Sequence, residues 1–286
     1  MTIKPSTAAG YAAGTRSLIE ATCLYVATKL GDLMDDLVIV GGLVPSLVVA
    51  QHNLPAGVDA HVGTMDLDIG LAVALITEHR YGTLTDRLRA AGFGPDMNDH
   101  SNATRQRWRI EEPAKVAVDF LIGPTRPDEL PGRLKNIEAD FAALIAPGLP
   151  LAFRDRRKVT LSGLTLLGEQ ATRDVWVCGP GAFTVLKALA FNNRGENKDA
   201  YDLYYVVRNF GAGPADVAAA LAPLLDAPPT DEAIAILRRD FLSVDDIGPL
   251  RVAIFTTGAP DDDIQADVVG FITALLGEVD RLTTGG

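Results

Sequence analysis

Thr64-Met65-Asp66-Leu67-Asp68-Ile69 is the stretch on which both the fold and the chemistry turn. Side chains alternate across a strand, so Asp66 and Asp68 project from one face while Leu67 and Ile69 enter the other. Two carboxylates held that close raise each other's proton affinity unless a cation sits between them. The pattern therefore invites a divalent metal with oxygen ligands, most naturally magnesium. The polar face of an edge strand carries the same spacing, so Asp-x-Asp alone does not decide between the two readings.

Upstream, Leu37-Val38-Ile39-Val40 is a short β-branched run, punctuated by Gly41-Gly42 before a helix-compatible segment from Leu43 to Gln51. A glycine pair between strand and helix lets the backbone approach a ligand closely at a helix start, a favourable place for phosphate. Neither the Lys-Ser or Lys-Thr of the Walker pattern nor the third glycine of the dinucleotide pattern follows. Ser46 reads as a helix-surface serine. Downstream, the strand expected over Met65 to Leu75 leads to a helix over Thr83 to Ala91, stopped by Gly92. Strands at Arg105 to Ile110 and Lys115 to Ile122 follow, joined by the turn Glu111 to Ala114. Asp119 stands inside Val116-Ala117-Val118-Asp119-Phe120-Leu121-Ile122, which otherwise reads as a central buried strand, where a lone carboxylate is costly. If that strand lies beside the Asp66/Asp68 strand, three acids converge as two-metal phosphoryl chemistry requires. An aspartate capping the next turn is the plainer alternative.

Further out, Ser17 to Leu30 forms an amphipathic helix closed by Gly31. Residues 123–132, with Pro124, Pro127, Pro131 and Gly132, read as a loop of unassigned role. Val159 to Leu167 and Val175 to Cys178 read as short strands. From Gly179-Pro180-Gly181 the chain is helical, with breaks near Gly195, Gly211 to Gly213, Pro228-Pro229 and Pro260. Strands mixed with helices, then helices alone, describe an α+β protein: a catalytic-type domain over residues 1–178 and a helical domain over 179–286. At the start of the helical part, Lys187 lies in the apolar helix Val185 to Phe191, where an ammonium group is rare unless it reaches a cleft or an anion. Asn197 suits a cap for the next helix, with Asp199 in its first turn. Lys198, Asp199 and Asp202 can tie the two helices together by ion pairs.

Composition bounds the rest. The chain has 286 residues, 48% hydrophobic and 22% charged, so it can bury a sizeable core and is not a disordered tract. No apolar stretch reaches the roughly 18 residues that span a bilayer, and Met1 to Gly14 lacks the pattern of a secretory signal; a cytoplasmic protein is expected. Two cysteines, Cys23 and Cys178, provide neither a disulfide framework nor a four-cysteine zinc site. His52, His61, His79 and His100 lack the helical spacing of a zinc hydrolase. A net charge of −11 repels polyanions, so duplex binding without a local basic patch is excluded. Arg105-Gln106-Arg107-Trp108-Arg109 and Arg154-Asp155-Arg156-Arg157-Lys158 are the two stretches able to hold a nucleic-acid end; solvated charge on strand edges is the plainer reading of each. His61, His79 and Trp108 carry no assignment.

Taken in order, Gly41-Gly42, Thr64-x-Asp66-x-Asp68, Asp119, and Lys187 followed by Arg194, Lys198-Asp199 and Asp202-Leu203 resemble the AbiEii-type nucleotidyltransferases of the DNA polymerase β superfamily, over roughly Leu37 to Val207. The resemblance implies a polymerase β-like mixed sheet in which the glycine turn, Thr64 and the Asp-x-Asp strand hold nucleoside triphosphate and Mg2+. It implies that Lys187, Arg194, Lys198, Asp199 and Asp202 complete the nucleotide site. Members are commonly the toxin half of a toxin–antitoxin pair, and some add nucleotides to the 3′ end of tRNA. One departure is that the arginine often found two residues before the threonine is replaced here by Val62, with His61 adjacent. The expectation is a magnesium-dependent nucleotidyltransferase with Asp66, Asp68 and Asp119 as metal ligands, Lys187 neutralising triphosphate charge, an RNA acceptor and a cognate antitoxin. A small-molecule or protein acceptor, and a catalytically silent binding module on the same scaffold, are the alternatives.

Overall fold

The computed structural model describes residues 4–72, 78–98 and 102–284. After a 3-10 turn at Ala8–Gly10, helix α1 (Thr15–Leu30) leads through a 3-10 segment, Gly31–Asp36, into strand β1 (Leu37–Val40). A 3-10 turn, Gly41–Leu43, and the short helix α2 (Val44–Val48) precede β2 (Asp66–Leu71), α3 (Glu78–Ala90), β3 (Gly94–Met97), β4 (Ala103–Ile110) and β5 (Val116–Ile122). Then come β6 (Leu134–Asn136), β7 (Ala142–Ile145), α4 (Leu151–Arg154), β8 (Arg156–Leu164) and β9 (Gln170–Cys178). Six helices close the chain: α5 (Pro180–Arg194), α6 (Asn197–Asn209), α7 (Pro214–Leu221), α8 (Pro228–Asp240), α9 (Ile247–Thr257) and α10 (Asp262–Thr284). None of the helices is long and apolar enough to cross a membrane among the described residues. The fold is α+β, a mixed sheet with a helical C-terminal part.

The chain divides into two compact units. The first, built on Ala13–Val44 and Gly63–Cys178, holds the sheet, whose strand order among the described residues is β3-β4-β5-β2-β1-β9-β8, with β7 pairing β5 and β6. Strand β1 is buried along its whole length, which is why Leu37 to Val40 reads as continuous apolar sequence rather than alternation. It runs antiparallel to β2, pairing Val40 with Asp68, and parallel to β9, pairing Ile39 with Val177. Strand β5 alternates, burying Val116, Val118, Phe120 and Ile122 on one face. Against that face stand Phe141, 5.1 Å from the Phe120 ring centre, and Trp108, which is a fully buried core residue. Helix α1 buries Ile19, every residue from Thr22 to Ala27, and Leu30, so its second half is enclosed on all sides rather than along the one stripe of an amphipathic helix. Its end is closed by Gly31, whose N–H returns to the Ala27 carbonyl.

The second unit combines Gly179–Gly286 with Lys4–Ala12 and Pro45–Val62. The two early segments join the helices although they lie far from them in sequence. Helix α5 begins with Pro180 in its first turn and ends at Gly195, in the left-handed region at φ 64°. Asn197 does not cap α6: it is the first helical residue, after Glu196, and its side chain donates to the Ser6 carbonyl and accepts from Arg251. The amide is drawn into these longer-range bonds, and the local capping bond is forgone.

Several boundaries differ from the sequence reading. Residues 73–75, the end of the strand expected from Met65, lie outside the described residues, as does His100; β2 is assigned over Asp66–Leu71. The side chain of His79 is likewise outside the description. Strands β3, β6 and β7 and helix α4 were not expected. At three or four residues each they are too short for periodicity to register. Strand β8 starts at Arg156 rather than Val159, so the basic run Arg156 to Lys158 is strand, with Arg156 and Lys158 on one face and Arg157 on the other.

Candidate metal centre

Strands β2 and β5 are parallel neighbours in register, with Asp66 opposite Ala117 and Asp68 opposite Asp119. Residues directly paired across strands share a face, and residues two apart on one strand share it too, so Asp66, Asp68 and Asp119 come together. Each offers a carboxylate oxygen, and these oxygens all lie within 4.8 Å of one another; among the described residues they form the group of acidic, histidine or cysteine ligands able to hold a metal ion. The donor set is all oxygen, which suits a hard divalent cation.

The glycine turn is part of this centre. Gly41 adopts φ 69°, and a Cβ placed on it would stand 1.9 Å from Asp68 Oδ2. Only a residue without a side chain can take this conformation and leave room for the Asp68 carboxylate. Gly42 is buried in the same 3-10 turn. On the other side Thr64 Oγ1 donates to Asp66 Oδ1 at 3.1 Å, and Thr64 is itself buried.

Arg107 completes the cluster. Its Nε donates to Asp119 Oδ1 at 2.7 Å, and one terminal nitrogen reaches both the second Asp119 oxygen and Asp66 Oδ2, the latter at 3.0 Å. Hydrogen bonds to Asp119 hold the guanidinium above its ordinary pKa against the effect of burial, and the charges of Asp119, Asp66 and Asp68 add to them. Three carboxylates and one guanidinium sum to −2, the charge one divalent ion neutralises. The sequence reading placed Arg107 among cations facing RNA and missed this role. The expected turn, Glu111 to Ala114, pairs Ile110 with Lys115 and sets Arg107 across from Val118; the observed pairing of Ile110 with Val116 shifts the register by one and puts Arg107 directly across from Asp119. Arg109, the other candidate of that strand, is bound to Asp96 at 2.8 Å and to Glu111.

The remaining expected site residues lie in the second unit. Lys187 is buried and bonds Asp199 Oδ1 at 2.9 Å and Asp202 Oδ2 at 2.7 Å. Lys198 bonds both Asp202 oxygens, and Arg194 forks onto Asp199 at 2.6 and 2.8 Å. The pairs of Lys187 and Arg194 link α5 to α6, whereas Lys198–Asp202, four residues apart, lies within α6, so Lys198 does not tie the two helices together. Burial opposes the charge on Asp202, but Lys187 and Lys198 outweigh it and hold the carboxyl well below the usual carboxylate range. Asp199 is lowered to about 2, Lys187 and Arg194 overcoming the same burial effect. Burial likewise disfavours the Lys187 ammonium, yet Asp199 and Asp202 raise its pKa.

His61 belongs to this network. Its Nε2 lies 2.9 Å from Asp202 Oδ1 and its Nδ1 3.4 Å from the Ser46 hydroxyl. Burial lowers its pKa to about 4, so the ring is neutral at pH 7. Because the ionised Asp202 only accepts, Nε2 carries the proton and Nδ1 accepts from Ser46. The ring stacks on Tyr201 at 5.3 Å and meets the Tyr205 edge at 4.9 Å. His61 thus pins the segment before Thr64 into the helical unit, a contact that one histidine in a loop does not announce.

No protein-family model matches the chain, and no curated protein does. Among solved structures, the chain is similar to an antigenic nucleotidyltransferase-like protein from Paracoccidioides brasiliensis, at 16% identity over 76% of this chain and 91% of that one, with a TM-score of 0.37.

Proposed function

We propose that the chain is a magnesium-dependent nucleotidyltransferase that moves a nucleoside monophosphate from a nucleoside triphosphate to an acceptor hydroxyl, with an RNA 3′ end such as that of tRNA as the acceptor. The observation that carries this reading is the convergence of Asp66, Asp68 and Asp119 from two paired strands, with the Gly41 turn packed against Asp68. Asp66, Asp68 and Asp119 would hold the metal, which when bound supplies positive charge to the phosphoryl oxygens and favours ionisation of the attacking hydroxyl. The chain's own residues set the geometry. Thr64 fixes the rotamer of Asp66, and Gly41 leaves Asp68 the space it occupies. Arg107 holds Asp119 and Asp66 against their mutual repulsion. Asp119, with 20% of its side chain exposed, is the acid that would take the proton from the acceptor hydroxyl. By the resemblance to AbiEii-type enzymes, Lys187, Arg194, Lys198, Asp199 and Asp202 would handle triphosphate charge.

The role as toxin of a toxin–antitoxin pair rests on the resemblance to AbiEii-type enzymes. It predicts that expression of the chain arrests growth, that Asp68→Asn relieves the arrest, and that a partner protein suppresses it.

A second reading has one observation behind it. Arg107 already bridges Asp66 and Asp119, so the acids are partly neutralised without a metal, as a silent binding module would need. Incubating the full chain with α-labelled nucleoside triphosphates, Mg2+, total RNA and a small-molecule extract separates the readings. Label on RNA supports the proposal, label on small molecules moves the acceptor class, and no label with no metal binding leaves the silent module.

A further inference from the structure

The outer strands of the sheet carry a second feature on the same face as the acids. Asp68 pairs with Val40, Ile39 with Val177 and Cys178 with Arg156, so one row of the sheet runs Asp68, Val40, Cys178, Arg156. Paired residues share a face, and alternation along β8 and β9 then adds Lys158, Thr160 and Ser162, with Trp176, Asp174 and Thr172 opposite them. Lys158, Thr160, Ser162, Thr172 and Asp174 are exposed, while the other face of the ribbon turns Val175 and Val177 into the core.

Trp176 has two cations beside its ring. The Arg156 guanidinium stands 4.2 Å from its ring centre and the Lys158 ammonium 5.2 Å. Beyond it the face is a row of hydroxyls, with Thr160 donating to Asp174 at 2.7 Å and Ser162 within 2.8 Å of Thr172. Residues 154–178 contain five cations and three acids, a net of +2, while the remainder of the chain carries −13. A half-buried tryptophan beside two cations on the exposed face of a ribbon of net charge +2, in a chain of net charge −11, is an arrangement that binds flat rings joined by phosphates.

We propose that the outward face of the β8–β9 ribbon, centred on Trp176, Arg156 and Lys158, docks a single-stranded nucleic-acid segment. Trp176 and the stacked Arg156 plane take a base, and Lys158 takes a phosphate. This rests on the nucleotidyl-transfer reading only for the identity of the strand, which would be the acceptor. Between Asp68 and Arg156 the row passes Val40 and Cys178, both buried, so the docking face is the outer part of the ribbon itself.

The test is direct binding, read by fluorescence anisotropy of 5′-fluorescein single-stranded RNA of ten nucleotides on the full chain, without triphosphate or added metal. Binding should weaken steeply with salt. Trp176→Ala and Lys158→Glu should each weaken it about tenfold, whereas the matched reversal Lys115→Glu, at an exposed lysine paired with Glu111, should leave it unchanged. Lys158→Glu alters an exposed side chain, so it reads the surface even if Trp176→Ala unfolds. Asp66→Asn with Asp68→Asn should bind the ten-mer at least as tightly as wild type, which separates this surface from the chemistry at the acids. Failure of the wild type to bind, or equal binding by Lys158→Glu and Lys115→Glu, overturns the proposal, and does so whether or not the chain transfers nucleotides.

Discussion

At the residue scale, Gly41 and Arg107 constrain the acid centre most tightly. Gly41→Ala must adopt a left-handed backbone, costing about 1 to 2 kcal/mol, and must also displace Asp68. The variant should therefore show a lower melting temperature and weaker Mg2+ binding in calorimetry; wild-type values for both would remove the turn from the site. Arg107→Ala should leave three carboxylates facing one another. Its melting temperature should fall without Mg2+ and recover on adding it by more than the wild type gains, because the ion replaces the missing positive charge. Equal Mg2+ responses in the two proteins would contradict that account. Asp66, Asp68 and Asp119 could be singled out in sequence because each breaks an apolar strand pattern. Arg107 could not be picked out by type, since arginine on a strand is ordinary until its partner across the hairpin is known.

At the element scale, the strands that build the centre were legible because each is either wholly apolar or strictly alternating, and glycine marks where β1 stops. The pairing of β2 with β5 was only a conditional in the sequence, since nothing in either strand says which neighbour it takes. The short strands β3, β6 and β7 offer too few residues for any period. In the helical unit, the ion pairs between α5 and α6 were readable from Lys187, Asp199 and Asp202 at helical spacing, but the third layer, His61 from a loop more than a hundred positions earlier, was not. Removing Lys187 leaves Asp199 and Asp202 buried with one cation fewer each, so Lys187→Ala should cost about 3 to 5 kcal/mol, measured by urea unfolding. A loss under about 1 kcal/mol would mean that the network relaxes around the gap. Nucleotide affinity of that variant, measured below its melting temperature, decides whether Lys187 also serves the triphosphate.

For the whole molecule, pH sets stability through the buried network. His61 titrates near 4 in the fold against an ordinary value of 6.5, so between those values the unfolded chain binds a proton that the folded chain does not. Its contribution is complete above pH 6.5 and is lost as pH falls toward 4; Asp199, lowered from 3.8 to about 2, adds a further loss below that range. Melting temperature should decline from pH 6.5 to 4, and His61→Gln should flatten that part of the curve; an identical slope in the variant would assign it to other groups. The overall charge of −11 hides two local departures from the average, the acid centre and the β8–β9 ribbon with its net +2. The account as a whole stands on one claim, that the three aspartates bind magnesium for nucleotidyl transfer. The most direct measurement is the initial rate of α-labelled nucleotide incorporation into acceptor RNA across a Mg2+ titration, for wild type and for Asp68→Asn at equal folded fraction. Saturable, Mg2+-dependent incorporation that falls about a thousandfold or more in the variant is the predicted result, and incorporation that is unchanged in Asp68→Asn, or absent in wild type with every acceptor offered, would contradict it.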